Sequence, residues 1–391
     1  MNGKGKSTVR VRFAIIGCGL MGREFASAAA RWCHLDLDVP APEIVAVADP
    51  DPSAVEWFKE NVPSVRFAVL DYKELLANGE IDAFYCAIPH VLHEEVYCRI
   101  IRAGKHLMGE KPFGMDEAQN SRILQAVREN PDVFVRCSSQ FPFFPACQSI
   151  VRWIGEKRFG RVIEVRAGFN HSSDLDLSKP INWKRKVEIN GAYGCLGDLG
   201  IHTQHVPFRV GFKPDGVYAQ LSKIVESRPD GKGGTARCET WDNALLMCDV
   251  PFDGYRFPMR LETKRMSPGS TDEWFIEVDG LLESARFSTN DPNAFHYTQN
   301  VGKEQAWCRL GVGYKPQFRT ITGSIFEFGF TDAILQMWAA FVLELSGEKV
   351  TFGCVTPEET RLSHRLQTAA LESMSSRGRI GIEPTTGGIV E

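Results

Sequence analysis

Hydrophobic residues in the first third of the chain form short continuous runs that alternate with longer amphipathic stretches. The continuous runs predict strands that are buried on both faces, since such strands have no polar side. Strands that alternate with helices indicate a doubly wound, mostly parallel sheet with helices on both faces. The predicted strands are Val11–Ile16, Ile44–Ala48, Val65–Phe67, Ala83–Ile88, His106–Met108 and Val133–Cys137, and the predicted helices are Gly22–Trp32, Ala54–Glu60, Tyr72–Leu76 and Val91–Ala103.

The pattern changes after about residue 160, where longer runs alternate between apolar and polar residues and few helices separate them. This alternation is typical of antiparallel strands with one face on a core. We therefore predict an α/β chain of two domains, 9–140 and 141–391, the second being an α+β domain with an open, mostly antiparallel sheet. Its predicted strands are Arg161–Asn170, Val217–Glu226, Asp242–Val250, Arg256–Lys264 and Trp274–Val278, and its predicted helices are Phe330–Leu345 and Pro357–Ser375.

Composition narrows the class of protein. The 391 residues carry a net charge of −4, which gives no electrostatic footprint for nucleic acid or an anionic membrane. No apolar run reaches the roughly 18 residues that span a bilayer, and Met1–Arg10 has the composition of a polar tail rather than a signal peptide. The eleven cysteines include no Cys-x-x-Cys pair, so we expect reduced thiols and no zinc site. A cytoplasmic protein is expected.

A glycine-rich turn follows the first predicted strand directly and opens a helix of small residues. In a dinucleotide-binding turn the first glycine permits the tight turn, the second lets the backbone approach the pyrophosphate, and the third allows close packing of helix and strand. The helix N-terminus then supplies amide donors for the phosphates. The predicted cofactor-binding residues of this turn are Gly17, Gly19, Leu20, Met21 and Gly22. An ordinary strand–helix glycine turn is the alternative.

Asp49 stands at the end of the second predicted strand. A carboxylate at this position can accept hydrogen bonds from the adenosine ribose hydroxyls and would repel a 2′-phosphate, which favours NAD over NADP. The separation from Gly17 exceeds the usual spacing of about 20 residues, and we attribute the excess to an insertion over Cys33–Pro42. The alternative is that Asp49 only forms a turn ahead of Pro50 and Pro52.

Three further sequence motifs follow the glycine turn along the chain. They are Ile88-Pro89-His90-Val91-Leu92-His93, Ala103-Gly104-Lys105-His106-Leu107-Met108-Gly109-Glu110-Lys111-Pro112 and Gly191-Ala192-Tyr193-Gly194-Cys195-Leu196-Gly197-Asp198-Leu199-Gly200-Ile201-His202. Together with the glycine turn, they make the chain resemble the glucose–fructose oxidoreductase and inositol dehydrogenase (Gfo/Idh/MocA) family over nearly its whole length. The resemblance implies a Rossmann domain, an open-sheet domain, an active site between them, and a homodimer or homotetramer.

The resemblance also implies roles for single residues. Lys111 of the Glu-Lys-Pro motif would lie beside the nicotinamide and the reacting carbon, and Asp198 and His202 would approach from the second domain. Pro89 and His93 would shape the loop at the nicotinamide end of the cofactor. Glu110, which precedes Lys111, completes the predicted cofactor-binding set.

The same residues suit the oxidation of a secondary alcohol on chemical grounds. His202 can take the hydroxyl proton, since the ordinary pKa of histidine of about 6.5 lies near working pH. Asp198 precedes it by four residues and would share its helix face, where it could orient the imidazole. Lys111 can stabilise a developing alkoxide or act as the base. The alternatives are a surface lysine, a core histidine and a helix-start aspartate.

Departures from the family pattern fall where we predict the substrate pocket. His205 replaces an acidic residue that many relatives carry, and the aromatic stretch 139–145 replaces a turn with an arginine. The predicted substrate-binding residues are Lys111, Phe141, Trp183, Asp198, His202 and His205. Asp198, His202 and His205 also have a spacing that could bind a metal on one helix face, but the family precedent is metal-free and no metal is expected.

We therefore predict an NAD-dependent dehydrogenase acting on a secondary alcohol of a sugar, glycoside or polyol. Two alternatives stay open. One is an NAD-binding regulator without chemistry, and the other is an enzyme with tightly bound NAD that oxidises a sugar transiently, eliminates or epimerises, and then reduces it.

Overall fold

A computed structural model describes residues 9–302, 304–312, 315–323 and 328–383. The chain divides into two compact units, and neither unit is a single continuous segment. For the described residues, the first unit takes in Met1–Gly114, Ser121–Phe144 and Tyr314–Pro357, and the second takes in Met115–Asn120, Pro145–Gly313 and Glu358–Glu391.

The first unit contains a six-stranded, wholly parallel sheet with strand order β3-β2-β1-β4-β5-β6. This order is that of the doubly wound dinucleotide-binding fold, and it confirms the predicted α/β class. The strands are β1 (Arg10–Ile16), β2 (Ala41–Ala48), β3 (Phe67–Val69), β4 (Ala83–Cys86), β5 (His106–Gly109) and β6 (Val135–Cys137), and the first helices of the chain are α1 (Leu20–Ala30), α2 (Pro52–Asn61), α3 (His93–Arg102) and α4 (Glu117–Glu129).

The second unit contains a nine-stranded sheet with strand order β16-β15-β14-β13-β7-β12-β11-β8-β17 and a separate hairpin of β9 and β10. Neighbouring strands are antiparallel except β7 and β12, which confirms the predicted, mostly antiparallel sheet. The remaining elements are α5 (Pro145–Gly155), β7 (Val162–Asn170), α6 (Val187–Asn190), α7 (Cys195–Arg209), β8 (Gly216–Ser222), β9 (Ser227–Pro229), β10 (Thr235–Arg237), β11 (Asn243–Phe252), β12 (Tyr255–Lys264), β13 (Glu273–Gly280), β14 (Glu283–Ser288), β15 (Ala294–Gln299), β16 (Cys308–Gly311), α8 (Phe330–Leu345), α9 (Pro357–Ser376) and β17 (Ile380–Gly381). Of these, α8 belongs to the first unit.

The two faces of the large sheet differ in burial. Along β11, Leu246 is 1% exposed whereas Leu245 is 40% exposed. Helix α7 covers the buried face by packing against β7, β11, β12 and β13. All but the last of its fifteen residues are buried, so this helix is enclosed on every side.

Several local predictions differ from the structure. The third strand is Phe67–Val69, two residues later than predicted, and Tyr72–Leu75 forms a 3-10 turn rather than an α-helix. Strand β8 ends at Ser222 rather than at the predicted Glu226, and beyond it the amides of Ile224 and Val225 donate to the Asp242 carboxylate. None of the helices in the described ranges has the length and apolar character needed to cross a bilayer.

The predicted division into 9–140 and 141–391 did not anticipate that a later segment returns to the first unit. Helix α8 carries Trp338, which is 1% exposed. Its ring stacks on Phe25 with centroids 3.6 Å apart and lies edge-to-face with Phe13 and Tyr85 at 5.6 and 5.0 Å. Since Phe13 and Tyr85 are strand residues, α8 forms part of the core over β1 and β4.

We expect Trp338→Ala to destabilise the first unit by about 3–5 kcal/mol, because it removes a large buried ring from an aromatic cluster. Denaturant unfolding of the purified chain measures this loss. Trp307→Ala is the matched control, since Trp307 is 43% exposed and stacks on Arg286 at the surface of the second unit. Equal losses for the two variants would contradict the placement of α8 in the core.

Candidate functional site

The glycine turn between β1 and α1 is shaped by two close backbone approaches. Gly17 has a φ of +95°, and a Cβ at this position would lie 2.2 Å from the carbonyl oxygen of Ala87. A Cβ on Gly22 would lie 2.4 Å from the carbonyl oxygen of Gly17. Both positions therefore require glycine, the first for conformation and the second because helix and turn are in contact.

Gly19 differs from its two neighbours in the motif, because a Cβ there would meet no protein atom within 4 Å. It is the N-cap of α1, and the next residue, Leu20, is 75% exposed. The first amides of a helix have no acceptor within the helix, and they carry the positive end of its dipole. The turn therefore leaves open space above an anion-binding helix N-terminus, as a phosphate-binding turn requires.

Asp49 is bonded on two sides. One carboxylate oxygen accepts the Cys18 amide at 2.8 Å and the other accepts the Asp51 amide at 2.9 Å. The second bond is the turn-forming role that we considered as an alternative, and the first ties the carboxylate to the glycine turn. The half-buried Asp49 therefore stands next to Cys18, at the end of β2.

Glu110 is buried inside the first unit. Its side chain accepts hydrogen bonds from Tyr85 Oη at 2.8 Å and Ser138 Oγ at 2.6 Å, and Tyr97 Oη donates to its carbonyl oxygen at 2.8 Å. These bonds connect the segment before Lys111 to three other elements. Glu110 thus has the geometry of a support for the Lys111 loop rather than of a group that faces a ligand.

His93 contacts the residue that follows Lys111. Its Nδ1 lies 2.5 Å from the Pro112 carbonyl oxygen, and its Nε2 lies 3.0 Å from the Ile88 carbonyl oxygen. Burial lowers the pKa of His93 to about 4, so the ring is neutral near pH 7 and can donate only one proton to these two carbonyls. Pro89 begins the 3-10 turn between Ile88 and His93, and Lys111, next to a cis peptide bond, is half-buried.

In the second unit, Asp198 and His202 lie on α7 as predicted, and each is 3% exposed. We expected the carboxylate to orient the imidazole. The structure shows the Asp198 carboxylate accepting from Lys184 Nζ at 2.9 and 3.2 Å and from Arg265 Nη2 at 3.3 Å. Asp198 is therefore a carboxylate held between two cations, and its orientation of the imidazole stays a prediction.

His202 is positioned by its backbone and by its ring. Trp274 Nε1 donates to the His202 carbonyl oxygen at 2.8 Å. The imidazole lies edge-to-face with the Phe169 ring, with centroids 5.3 Å apart. Both partners come from strands beneath α7, so the histidine is fixed by the sheet.

Two predicted substrate contacts are enclosed by protein. Phe141 is 1% exposed, and its ring neighbours are Phe144 and Phe330 of the first unit. His205 is fully buried, with Nε2 3.2 Å from Arg209, which in turn forms a bidentate pair with Glu359 of α9. Burial lowers the pKa of His205 to about 3. Contact of Phe141 and His205 with a substrate therefore stays a prediction.

Trp183 is half-buried on a 3-10 turn that two buried arginines anchor. Arg185 pairs with Asp242 and Asp174, and Arg228 donates to the carbonyl oxygens of residues 174, 176 and 179. The loop that carries Trp183 is therefore held by hydrogen bonds and ion pairs of buried arginines.

Sequence reasoning missed the roles of Lys184 and Arg265. Lys184 follows Trp183 directly, so a cation close to the predicted site was visible in the sequence but was given no partner. Arg265 comes 67 residues after Asp198, and nothing in its local sequence distinguishes it from other strand-end arginines. Among the described residues, no group of three metal-ligating side chains forms a metal site.

The glycine turn and the strand order define a dinucleotide-binding unit, and comparison with known proteins names its class. Residues 11–136 match the model of an oxidoreductase family with an NAD-binding Rossmann fold, the Gfo/Idh/MocA family. Over these residues the chain is similar to the family that the resemblance named.

Among characterised relatives, the levoglucosan dehydrogenase of Pseudarthrobacter phenanthrenivorans is 26% identical over 226 residues, which is 56% of each chain. The dTDP-3,4-didehydro-2,6-dideoxy-alpha-D-glucose 3-reductase of Saccharopolyspora spinosa is 33% identical over 197 residues, 49% of this chain and 53% of that protein. The matches thus span about half the length of these relatives. A levoglucosan dehydrogenase structure with NADH and L-sorbose superimposes with a TM-score of 0.86, covering 96% of this chain and all of that one at 18% identity, which shows a shared fold.

Substitution of two glycines of the turn, Gly17 and Gly19, should separate folding from cofactor binding. We expect Gly17→Ala to destabilise the first unit by more than about 1 kcal/mol, because of its φ and its contact with Ala87. Gly19→Ala should keep the wild-type Tm and bind NADH at least about tenfold more weakly, since its methyl group enters the space of the pyrophosphate. Thermal unfolding and NADH fluorescence titration measure both effects.

Gly79→Ala is the control for these variants, because Gly79 also has open space around its Cβ position and stands in a turn outside the motif. Its NADH affinity and its Tm should equal those of the wild type. Wild-type NADH affinity in Gly19→Ala would show that the open space above Gly19 is not where the cofactor binds.

The burial of His205 predicts a dependence of stability on pH. The unfolded chain protonates this histidine below about pH 6.5, whereas the folded chain does so only near pH 3. The free energy of unfolding therefore falls as the pH drops through this window, by up to about 1.4 kcal/mol per pH unit for this group. In His205→Gln the fall between pH 6.5 and 4.5 should be shallower, as urea unfolding at several pH values would show. An unchanged slope would contradict a neutral, buried His205.

Proposed function

We propose that the chain is an NAD-dependent dehydrogenase that transfers a hydride between the nicotinamide and a secondary alcohol of a sugar, glycoside or polyol. The observation that carries the proposal is the turn at Gly17, Gly19 and Gly22, where two glycines are closed in by backbone and the middle one faces open space. This pattern is what a bound pyrophosphate needs, and an ordinary turn does not.

The residues of the first unit fit NAD. The N-terminus of α1 offers its amides to the pyrophosphate, with Leu20 and Met21 as the first helical residues. Asp49, fixed beside Cys18 by its hydrogen bond at 2.8 Å, offers a carboxylate to ribose hydroxyls and disfavours the 2′-phosphate of NADP. When bound, NAD would supply the acceptor for the hydride from the alcohol carbon.

Side chains of the protein transfer the proton and stabilise the charges that form. His202 takes the proton of the substrate hydroxyl as the hydride leaves the carbon that bears this hydroxyl. In the reverse reaction it returns the proton. Lys111 stabilises the negative charge that develops on the oxygen. Asp198 keeps a fixed negative charge one helical turn before His202, which favours the protonated imidazole that forms. Trp183 offers its ring to the apolar face of a sugar.

The relatives support an alcohol or carbonyl of this class as substrate. They include proteins named for levoglucosan, for a dTDP-linked ketosugar and, in mouse, for trans-1,2-dihydrobenzene-1,2-diol. These names share a carbon that carries a hydroxyl or carbonyl next to another oxygen-bearing carbon on a six-membered ring. A cyclic vicinal diol, free or glycosidic, is therefore the first substrate class to try.

The test mixes the purified protein with NAD and a panel of cyclic polyols, free sugars, levoglucosan and glycosides, and follows NADH absorbance. Lys111→Ala and His202→Ala should each lower kcat by at least about a hundredfold, since each removes a group that acts in the transition state. Both variants should bind NADH as the wild type does. No turnover with any member of the panel, together with no NADH binding by the wild type, would refute the proposal.

We further propose that the chain forms a homodimer or homotetramer. Tyr218, Leu245 and Met247 are 52, 40 and 45% exposed on adjacent strands of the large sheet, and Met247 is directly opposite Tyr218 in the register. A patch of this kind is a natural subunit interface. Light scattering should give a multiple of the 43.7 kDa chain mass, and a monomer at micromolar concentration would contradict the proposal.

A further inference from the structure

Asp198 carries a charge in a place where water contributes little. Its side chain is 4% exposed and accepts hydrogen bonds from Lys184 Nζ, through both carboxylate oxygens, and from Arg265 Nη2. An ionised carboxylate at this depth is costly unless cations and donors surround it. Lys184 and Arg265 meet that requirement, so the carboxylate stays charged.

The two cations are built into the protein in different ways. The Arg265 side chain is 4% exposed, and it also donates to the carbonyl oxygens of Lys184 and Gly194 at 3.2 and 3.5 Å and to Thr240 Oγ1 at 3.4 Å. It therefore connects the 3-10 turn, the start of α7 and the segment before β11. Removing this guanidinium would disturb the fold as well as the charge.

The Lys184 side chain, in contrast, is 40% exposed, and its ammonium lies 5.8 Å from the centre of the Trp183 ring. The carbonyl oxygen of Lys184 accepts from Thr240 Oγ1 at 2.9 Å as well as from Arg265. These backbone bonds hold the turn in place independently of the ammonium. The charge of Lys184 can therefore be removed without removing the contacts that position its loop.

We propose that Lys184 is a positioning residue, whose ammonium keeps Asp198 ionised and fixed in orientation on α7, one turn before His202. The link between this position and turnover rests on the proposed dehydrogenase function. Lys184 acts through Asp198 and needs no contact with the reacting atoms.

The titratable groups around Asp198 determine the direction of the pKa shifts that we expect when the Lys184 charge is removed. They are Lys184 on the 3-10 turn, Arg265 after β12, and Cys195 and His202 on α7 itself. Burial raises the pKa of Cys195 to about 11, so this thiol stays neutral in the assay range. Loss of the Lys184 charge raises the pKa of Asp198, and it also raises the pKa of His202, since a nearby cation disfavours the imidazolium. Both changes move the acidic limb of the activity profile to higher pH.

The first test reads Asp198 directly and needs no substrate. The full chain is labelled with aspartate enriched in ¹³C at the carboxyl carbon, and the Asp198 signal is identified by its loss in Asp198→Asn. In Lys184→Met its titration midpoint should lie about one pH unit above that of the wild type. Lys184→Arg should titrate as the wild type does. Identical behaviour of Lys184→Met and the wild type, including no titration in either, would overturn the proposal.

The second test reads the consequence for turnover. Lys184→Met should lower kcat at least about tenfold with NADH affinity unchanged, and should shift the acidic limb of kcat/KM upward by about one pH unit. Lys184→Arg should restore both. The matched control is Lys186→Met, which removes the same charge two residues along the loop and should leave kcat and the limb unchanged.

The outcomes separate the two proposals. If the wild type turns over no alcohol but the Asp198 midpoint shifts in Lys184→Met, the positioning of Asp198 by Lys184 stands and the dehydrogenase assignment fails. If the wild type is active and Lys184→Met and Lys184→Arg lose activity equally with an unshifted limb, Lys184 has only a structural role and the proposal is overturned.

Discussion

The close backbone approach at the end of β1 is the constraint on which the first unit depends. The Gly17 amide bonds to the carbonyl oxygen of Ala48 at 3.0 Å, and its α-carbon lies against the Ala87 carbonyl, so β2, β1 and the chain after β4 converge at one point. Gly22 then brings α1 against the same turn. This convergence leaves room above Gly19, and it makes the amides at the start of α1 available to a ligand.

In the second unit, Asp198 and His202 are positioned by hydrogen bonds and ion pairs rather than by close backbone contacts at glycines. This unit buries a helix that carries polar side chains, and partners from several other elements bond to this helix. Asp198 receives two cations, the carbonyl oxygen of His202 receives the Trp274 indole, and Arg209 on the same helix pairs with Glu359. Because each partner comes from a different element, the orientation of Asp198 and His202 is a property of the whole unit rather than of α7 alone.

Whether the sequence could predict a feature depends on how far apart in the chain the interacting residues lie. The parallel sheet, the glycine turn, and the single helix face shared by Asp198 and His202 all have local signals, namely continuous apolar runs, glycine spacing and a four-residue spacing, and the sequence predicted them. The residues that contact these side chains from distant parts of the chain had no such local signals. Arg265 meets Asp198, and Trp338 meets Phe25, across long stretches of chain, and pairing at that distance is decided by tertiary packing. Phe141 and His205 were predicted as pocket residues because they depart from a family pattern, and the structure shows that both are buried.

The central proposal is a direct hydride transfer between a secondary alcohol and the nicotinamide of NAD. It is tested most directly with the active alcohol of the panel, deuterated at the carbon that bears the hydroxyl, and NAD. Mass and NMR spectra of the resulting NADH report whether the deuterium has moved to C4 of the nicotinamide. The account predicts one deuterium per NADH formed. NADH that carries no deuterium, or consumption of the alcohol without any NADH, would contradict direct transfer between this alcohol and the cofactor.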